Sequence, residues 1–227
     1  MTTSPRALLV LTSHGDLGGL RPTGYYISEA AEPWEILTRA GWEVHITSIA
    51  GGQPPEDGRN DADPIQRAFL NDPHVAEQLR STTALKDIDP SMYRIVFFVG
   101  GHGTMWDFPT STAVQSVGRA VYEAGGVLAA VCHGPSALVG MTLSDGSSLI
   151  SGRRVTGFTN EEEKAVGLTE VVPFLLADAL ESKGATHVPA SSFTENVVVD
   201  GRIVTGQNPQ SAAATAQAAV AAAALSA

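Results

Sequence analysis

The segment around the only cysteine of the chain most constrains the fold. An apolar, strand-like run, 127–131, ends at Cys132, and the residues after it, 133–135 (His-Gly-Pro), begin a helical pattern. A strand that turns directly into a helix at a cysteine holds that side chain at the edge of a sheet, where substrates reach it. The N–H groups of the helix favour an anion there, so we expect a nucleophile with a lowered thiol pKa. The alternative is a small core cysteine.

Apolar runs with strand composition alternate with helical patterns, which is typical of βαβ units around a parallel sheet. Strands are predicted at 7–12, 43–48, 94–99, 127–131 and 154–156, and a hairpin joins 196–199 to 202–205. Its turn, Asp200-Gly201, suits type I′. Helices are predicted at 29–40, 112–124, 135–139, 171–183 and 209–225, with Gly41 and Gly184 after two of them. Segment 51–73 is predicted to be irregular.

Composition limits the classes of protein that this chain can join. A chain of 227 residues, 43% of them hydrophobic, can bury a large core, so we expect one domain over 1–227. The net charge of −10 and the lack of a Lys/Arg cluster argue against a nucleic-acid partner. The apolar run 7–11 is too short for a signal peptide, and no run is long enough to cross a membrane. A single cysteine cannot form an intrachain disulfide, so we expect a cytoplasmic protein.

Two loops are expected to meet beside the cysteine. The loop 100–108 and the pair Cys132-His133 both follow strands, and ligands bind at the carboxyl ends of parallel strands. Backbone N–H groups of Gly101 and His133 could then form an oxyanion hole beside the sulfur. In the first loop, three ring-bearing side chains either line a small substrate mouth or pack within the loop: His102, Trp106 and Phe108.

A cysteine nucleophile needs a base and a group that orients the base. His133 is the adjacent candidate base, provided that the backbone bends sharply, because neighbours on a regular helix do not face each other. The orienting carboxylate is expected from Glu161, Glu162 or Glu163, which follow the fifth strand. Spacing alone does not choose among the three, and an acidic first helical turn in solvent is the simpler explanation.

Glu29 is a second carboxylate of interest because it stands at the start of a predicted helix. Ser28 could cap that helix, and acids are common in first turns, where they complement the helix dipole. If Glu29 instead points inward at the sulfur, burial raises its pKa and makes it a proton shuttle.

Five motifs carry a resemblance to a known family. They are Ser-Glu-x-x-x-Pro (28–33), Gly-Gly-His-Gly-Thr (100–104), Ala-Val-Cys-His-Gly-Pro (130–135), Thr-Gly-Phe-Thr (156–159) and Val-Thr-Gly-x-Asn-Pro-x-Ser (204–211). In this order they resemble the ThiJ/PfpI superfamily, and within it the stress chaperones with glutathione-independent glyoxalase activity (glyoxalase III). Five motifs along nearly the whole chain are far more specific than any one alone.

The resemblance implies a fold, a site and a reaction. The expected fold is an α/β, flavodoxin-like three-layer sandwich, with a mostly parallel sheet between helices. The catalytic residues would be Cys132, Glu29 and His133, with Glu163 as the third triad member and Glu161 or Glu162 as fallbacks. The substrate would be a small aldehyde, methylglyoxal, converted to lactate without glutathione, cofactor or metal. The family usually forms homodimers.

Other functions remain open from the sequence. A Cys-His-Glu triad also suits an amidase or peptidase, and glutamine amidotransferases share the elbow, although the late His187 lacks their Glu two residues on. A protein-holding chaperone with unfolded clients, a deglycase and a redox sensor are further alternatives. A metal enzyme is disfavoured because the six histidines show no ligand spacing.

Overall fold

The computed structural model describes residues 4–225, which form a central sheet of seven strands. The strand order is β10-β11-β7-β6-β1-β3-β5. These strands are β1 (Arg6–Leu11), β3 (Glu43–Ser48), β5 (Thr83–Ala84), β6 (Ile95–Phe98), β7 (Val127–Val131), β10 (Val197–Asp200) and β11 (Ile203–Gly206). Every neighbouring pair is parallel except the hairpin β10–β11. Two parallel pairs lie outside this sheet: β2 (Tyr25–Tyr26) with β4 (Glu56–Asp57), and β8 (Arg154–Val155) with β9 (Thr186–His187).

Helices cover the sheet. They are α1 (Ile27–Arg39), α2 (Pro64–Asn71), α3 (Pro73–Arg80), α4 (Thr104–Asp107), α5 (Thr112–Glu123), α6 (Ser136–Val139), α7 (Asn160–Ala165), α8 (Leu176–Ser182) and α9 (Ala212–Leu225). Short 3₁₀ turns lie at Leu85–Asp87, Pro90–Met92 and Pro209–Ser211. Helix α9 packs against α1 and β7, and α5 also packs against β7. All residues of β6 and β7 are buried, as strands of a parallel sheet covered on both faces must be.

The predicted α/β, flavodoxin-like sandwich is confirmed by this mostly parallel sheet with helices around it. Strands β3 and β7 have the predicted bounds, and β1, β6, β10 and β11 differ from the predictions by one residue at their ends. The edge strand β5 was not predicted. The predicted strand at 154–156 forms as β8, but it pairs with β9 in a separate sheet. Gly41 and Gly184 follow α1 and α8 with φ of 84° and 87°, as expected of residues just after helices.

Three local predictions are wrong. Segment 51–73 is not irregular, because it contains β4, α2 and the start of α3. Asp63 and Asp72 each cap a helix whose first residue is proline, a start signal present in the sequence. The helix predicted at 171–183 begins only at Leu176, since Pro173 disfavours helical backbone before it.

The third error is the hairpin turn. Asp200 pairs with Ile203, so the turn residues are Gly201 and Arg202, and only Gly201 has positive φ (60°). The turn is therefore not type I′, which needs positive φ at both positions. The Asp200 carboxylate instead accepts hydrogen bonds from Arg153 and from the backbone N–H of Arg154, which joins the hairpin to β8.

Within residues 4–225, none of the helices has both the length and the apolar character needed to cross a bilayer.

Candidate active site

The cysteine stands on a sharp elbow directly after β7. Cys132 has φ of 60°, a left-handed conformation that non-glycine residues rarely adopt. Its N–H donates to the carbonyl of Gly206 and its carbonyl accepts from the N–H of Phe158, each at 2.9 Å. A Cβ at Gly134 would lie 2.2 Å from the carbonyl oxygen of Phe98, so the next turn requires glycine. Strain at a non-glycine residue, held on both sides by hydrogen bonds, is typical of a functional position.

Cys132 is 4% exposed and lines a cavity, so it is not a sealed core residue. Backbone N–H groups of Gly101 and His133 face the sulfur, as the sequence predicted for an oxyanion hole. The expected lowering of the thiol pKa is wrong: burial and the nearby Glu29 raise it well above its usual value. The predicted cause is missing because α6 starts at Ser136, four residues on, and has a single turn. A helix dipole acts mainly within its first turn.

Glu29 points inward from the first turn of α1 and is fully buried. Within residues 4–225 no donor makes a well-aligned hydrogen bond to either carboxylate oxygen. The polar groups that face the carboxylate are the Cys132 thiol and the N–H of Gly100. Burial raises the pKa of Glu29 well above its usual value, which favours the protonated form of this group. A Cβ at Gly100 would lie 2.2 Å from Oε2 of Glu29, which explains the glycine there. The prediction that Ser28 caps α1 is wrong, because the residue at the N-cap position is Tyr26 and no side chain caps this helix.

His133 links the thiol to a carboxylate. Its Nδ1 lies 3.3 Å from Sγ of Cys132, and its Nε2 lies 2.8 Å from Oε2 of Glu163. Burial, together with the neighbouring His102, lowers the pKa of His133 to about 4. Burial alone would raise the pKa of Glu163, but hydrogen bonds from His102 and His133 outweigh it and lower the pKa to about 2. An ionised Glu163 can only accept a hydrogen bond, so the ring proton of His133 lies on Nε2. Nδ1 is then unprotonated and faces the sulfur as a base.

The three adjacent glutamates have different surroundings. Glu161 is exposed to solvent, and Glu163 is the one that reaches His133. Glu162 is fully buried and forms a capping box with Thr159, whose N–H and hydroxyl both donate to its Oε2. Its Oε1 accepts from the N–H of Phe193 at 2.7 Å and from Nδ2 of Asn208 at 2.8 Å. The run is therefore not a solvated acidic turn, because two of its three members are buried.

His102 lines the cavity, and it also contacts Glu163 and His133. Its Nε2 lies 3.0 Å from Oε1 of Glu163, and its ring centroid lies 4.1 Å from that of His133. Glu163 therefore accepts from two histidines, one on each oxygen. The other two predicted mouth residues do not line the cavity. Phe108 is fully buried against Phe98, and Trp106 stacks on His14 at 5.0 Å, because α4 turns both away from the sulfur.

The cavity has a volume of about 480 Å³. Sequence reasoning missed several residues around it, among them Tyr26, Phe158, Leu168 and Phe193. Phe158 belongs to the Thr-Gly-Phe-Thr motif, and its ring centroid lies 4.4 Å from that of His133, so the motif carried a usable signal. His187, the histidine weighed for an amidotransferase, lies in β9 and is absent from the described cavity wall.

One group of side chains in residues 4–225 has the geometry to hold a metal ion. His102, His133 and Glu163 offer ligand atoms that lie within 4.8 Å of one another. The histidine spacing in the sequence did not reveal this group because its members come from three separate segments: the loop after β6, the elbow after β7 and helix α7. In the structure the same atoms are already joined by hydrogen bonds at 2.8 and 3.0 Å. An enzyme without a metal or cofactor stays a prediction.

Fold and site together define a flavodoxin-like α/β protein with a cysteine at a nucleophile elbow. The chain belongs to the DJ-1/PfpI family, whose model matches residues 20–222. It is 35% identical to Glyoxalase 3 from Candida albicans, with 96% of this chain and 98% of the relative covered. It is 36% identical to a glutathione-independent glyoxalase, hsp3101, from Schizosaccharomyces pombe, with coverage of 97% and 96%. The crystal structure of glyoxalase III from Candida albicans superposes with a TM-score of 0.88 at 33% identity, covering 96% of this chain and 97% of that one. The predicted family resemblance is confirmed.

Proposed function

We propose that this chain is a cysteine-dependent, glutathione-independent glyoxalase that converts methylglyoxal and related 2-oxoaldehydes to 2-hydroxy acids such as lactate. The observation that carries the proposal is Glu29, a fully buried carboxylate without a well-aligned donor, facing the Cys132 thiol. A triad alone serves hydrolysis, whereas moving a proton between two adjacent carbons needs a second acid/base group beside the sulfur. The names of the relatives support the same reaction.

The first step joins the substrate to the sulfur. Nδ1 of His133 takes the proton of the Cys132 thiol while the sulfur adds to the aldehyde carbon, C1. The carbonyl oxygen becomes an alkoxide held by the N–H groups of Gly101 and His133. Glu29, protonated because of its burial, gives its proton to this alkoxide and becomes a carboxylate. The product of the step is a neutral hemithioacetal.

The next steps move hydrogen and electrons from C1 to the ketone carbon, C2. The Glu29 carboxylate removes the C1 proton to give an enediolate and returns a proton to C2, while the C1 hydroxyl proton passes to the C2 oxygen. C1 is thereby oxidised to a thioester and C2 is reduced to an alcohol. Water, with the Glu29 carboxylate as the base, then cleaves the thioester, and His133 returns its proton to the departing sulfur. One proton returns to Glu29 and one leaves with the lactate anion.

The remaining expectations belong to the same proposal. The reaction places the enzyme with the lyases of the D-lactate dehydratase class. A free thiol at the reacting position suits a reducing compartment, and hence the cytoplasm. A homodimer, unfolded client proteins and deglycase activity stay predictions.

The test is formation of D-lactate from methylglyoxal by the purified protein in the absence of glutathione. Cys132→Ala and Glu29→Gln are both expected to abolish it. Glu35→Gln is the matched control: Glu35 lies on the same helix, but it pairs with Arg39 at 2.7 Å and does not line the cavity. Wild-type protein without turnover, or full turnover by Glu29→Gln, would contradict the proposal.

A cysteine hydrolase is the second candidate, because the contacts of Cys132, His133 and Glu163 also suit amide cleavage. Glu29 has no part in that reaction. Amide or ester hydrolysis that survives Glu29→Gln but not Cys132→Ala, without lactate formation by the wild type, would favour the hydrolase.

A further inference from the structure

The mouth of the cavity is unusually apolar at its surface. Six large apolar side chains in residues 4–225 are well exposed, and three of them stand around this one cavity: Leu20, Val166 and Phe193, exposed by 63%, 43% and 41%. Single exposed apolar residues are ordinary, whereas a cluster at a concave site marks a surface that binds apolar groups. The cluster lies at the entrance to the sulfur.

Phe193 is held in place by its backbone. Its φ is 56°, and apart from Cys132 it is the only non-glycine residue of the described chain with positive φ. The N–H of Phe193 donates to the fully buried Glu162 at 2.7 Å, and Asn208 bridges the same oxygen and the carbonyl of Thr194. A strained residue fixed by a buried carboxylate is typical of a position at which the orientation of the side chain matters.

The Phe193 ring extends an aromatic wall that reaches the catalytic centre. Phe193 stands edge-on to Phe158 with ring centroids 6.2 Å apart, and Phe158 lies 4.4 Å from the His133 ring. Arg21, the one arginine or lysine among the described lining residues, is paired with Asp57 at 2.9 Å. The wall thus offers apolar contacts to a substrate. The charge of Arg21, already paired with Asp57, contributes little to the binding of an anionic substrate.

The cavity is also large for methylglyoxal. A volume of about 480 Å³ falls within the range of sites that hold drug-sized ligands, roughly 300–1,000 Å³. With its carbonyl carbons at Cys132 and Glu29, a methyl group would leave most of the aromatic wall without contacts.

We propose that the preferred substrates are uncharged 2-oxoaldehydes with a bulky apolar substituent, such as an aryl group, and that Phe193 is a specificity residue contacting that substituent. The inference rests on the proposed glyoxalase function and deepens it. Phenylglyoxal is the probe: with one water it gives mandelate, its aldehyde carbon being oxidised and its ketone carbon reduced as in the lactate reaction. The substituent packs against Phe158 and Phe193, and Cys132 and Glu29 act as before.

The experiment measures kcat/KM for phenylglyoxal and for methylglyoxal without glutathione, by mandelate and lactate formation. Phe193→Ala is expected to lower the ratio of the two values about tenfold, a usual size for apolar specificity contacts. Phe193→Leu should recover part of the ratio. Val199→Ala is the matched control, because Val199 is an equally exposed apolar residue (49%) outside this cavity. Comparing ratios within each variant removes the intrinsic reactivity of the two aldehydes.

Each outcome is informative. A ratio that falls in Phe193→Ala, with Val199→Ala like the wild type and thermal unfolding unchanged, supports the inference. Methylglyoxal turnover with a ratio that is the same in wild type and Phe193→Ala overturns the inference and leaves the proposed function standing. A wild type that turns over neither aldehyde overturns both.

Discussion

Glu29 and Glu163 are two buried carboxyl groups of one active site, and their surroundings differ. Glu29, at the start of α1, has no well-aligned donor among the described residues, and burial raises its pKa. Glu163, on α7, accepts from His102 and His133, and these bonds lower its pKa to about 2. Both groups are buried, so the hydrogen-bond donors around each one decide whether its pKa is raised or lowered. One carboxyl group is kept protonated to move protons, and the other is kept ionised to orient a base.

The largest expected effect is on Glu29. Replacing it with glutamine removes the titrating group while keeping its size, so lactate formation should fall by about 10³-fold or more, within the range for general acid–base catalysis. Stopped assays of D-lactate at pH 7 measure this. Thermal unfolding of the variant should show no loss of stability, and a large loss would point to misfolding instead of a lost proton carrier.

The next effect is on Glu163. A glutamine there can accept from one histidine only, and its amide would face the other donor, so the ring of His133 loses its orientation. We expect a loss of about 100-fold in kcat/KM, near the upper range for removal of an orienting carboxylate. Glu163 also raises the pKa of His133. The acid limb of the pH profile should therefore move to lower pH, and a limb that stays in place would mean that Glu163 acts only in packing.

The third effect concerns stability and separates Glu29 from Glu163 without an activity assay. The folded-state pKa of Glu29 is raised, so above the unfolded value near 4.5 the unfolded chain releases a proton that the folded chain keeps. Its contribution to stability is therefore present below that value and is lost as pH rises. The free energy of unfolding of Glu29→Gln should therefore rise relative to that of the wild type, by up to about 1.4 kcal/mol per pH unit between pH 5 and 8. Urea unfolding at each pH measures the gap. A gap independent of pH would show that Glu29 is ionised throughout.

The smallest effect is on His102. His102→Gln removes one of the two donors to Glu163 and the neighbour that lowers the pKa of His133. The acid limb of kcat/KM should move up, by about one pH unit, the opposite direction to Glu163→Gln. The activity lost at pH 7 should be tenfold or less. A shift in the same direction for both variants would disprove that the two histidines compete for one carboxylate.

The parts of the fold that were predicted correctly are those with a local signal. Strands such as β7 are continuous apolar runs, and the elbow follows from a strand that stops at Cys132. The helix-start signals at Asp63 and Asp72 are equally local, but the many turn residues around them favoured the prediction of an irregular segment. Glu29 could be identified as a first-turn acid, but whether it faces water or sulfur depends on how α1 packs, which no local pattern contains.

Other features of the site depend on contacts between distant segments. His102 and Glu163 are 61 residues apart, so no spacing rule could pair them. Phe108 and Trp106 were placed at the mouth because their loop follows β6, yet α4 rotates them away. The raised thiol pKa results from burial and from a carboxylate on another helix. Phe193 gave no signal, because its position depends on a hydrogen bond to Glu162.

The C-terminal helix has a consequence for the chemistry at the other end of the chain. Alanines 212, 216, 219 and 223 of α9 are buried, and α9 packs along α1. Glu32, one turn after Glu29, accepts a hydrogen bond from the N–H of Ala213. Side chains this small let the two helices approach closely with few rotamers to order. Helix α9 thus fixes the position of α1 and, with it, of Glu29. Bulkier residues in α9 would displace Glu29, which lies nearly two hundred positions earlier in the sequence.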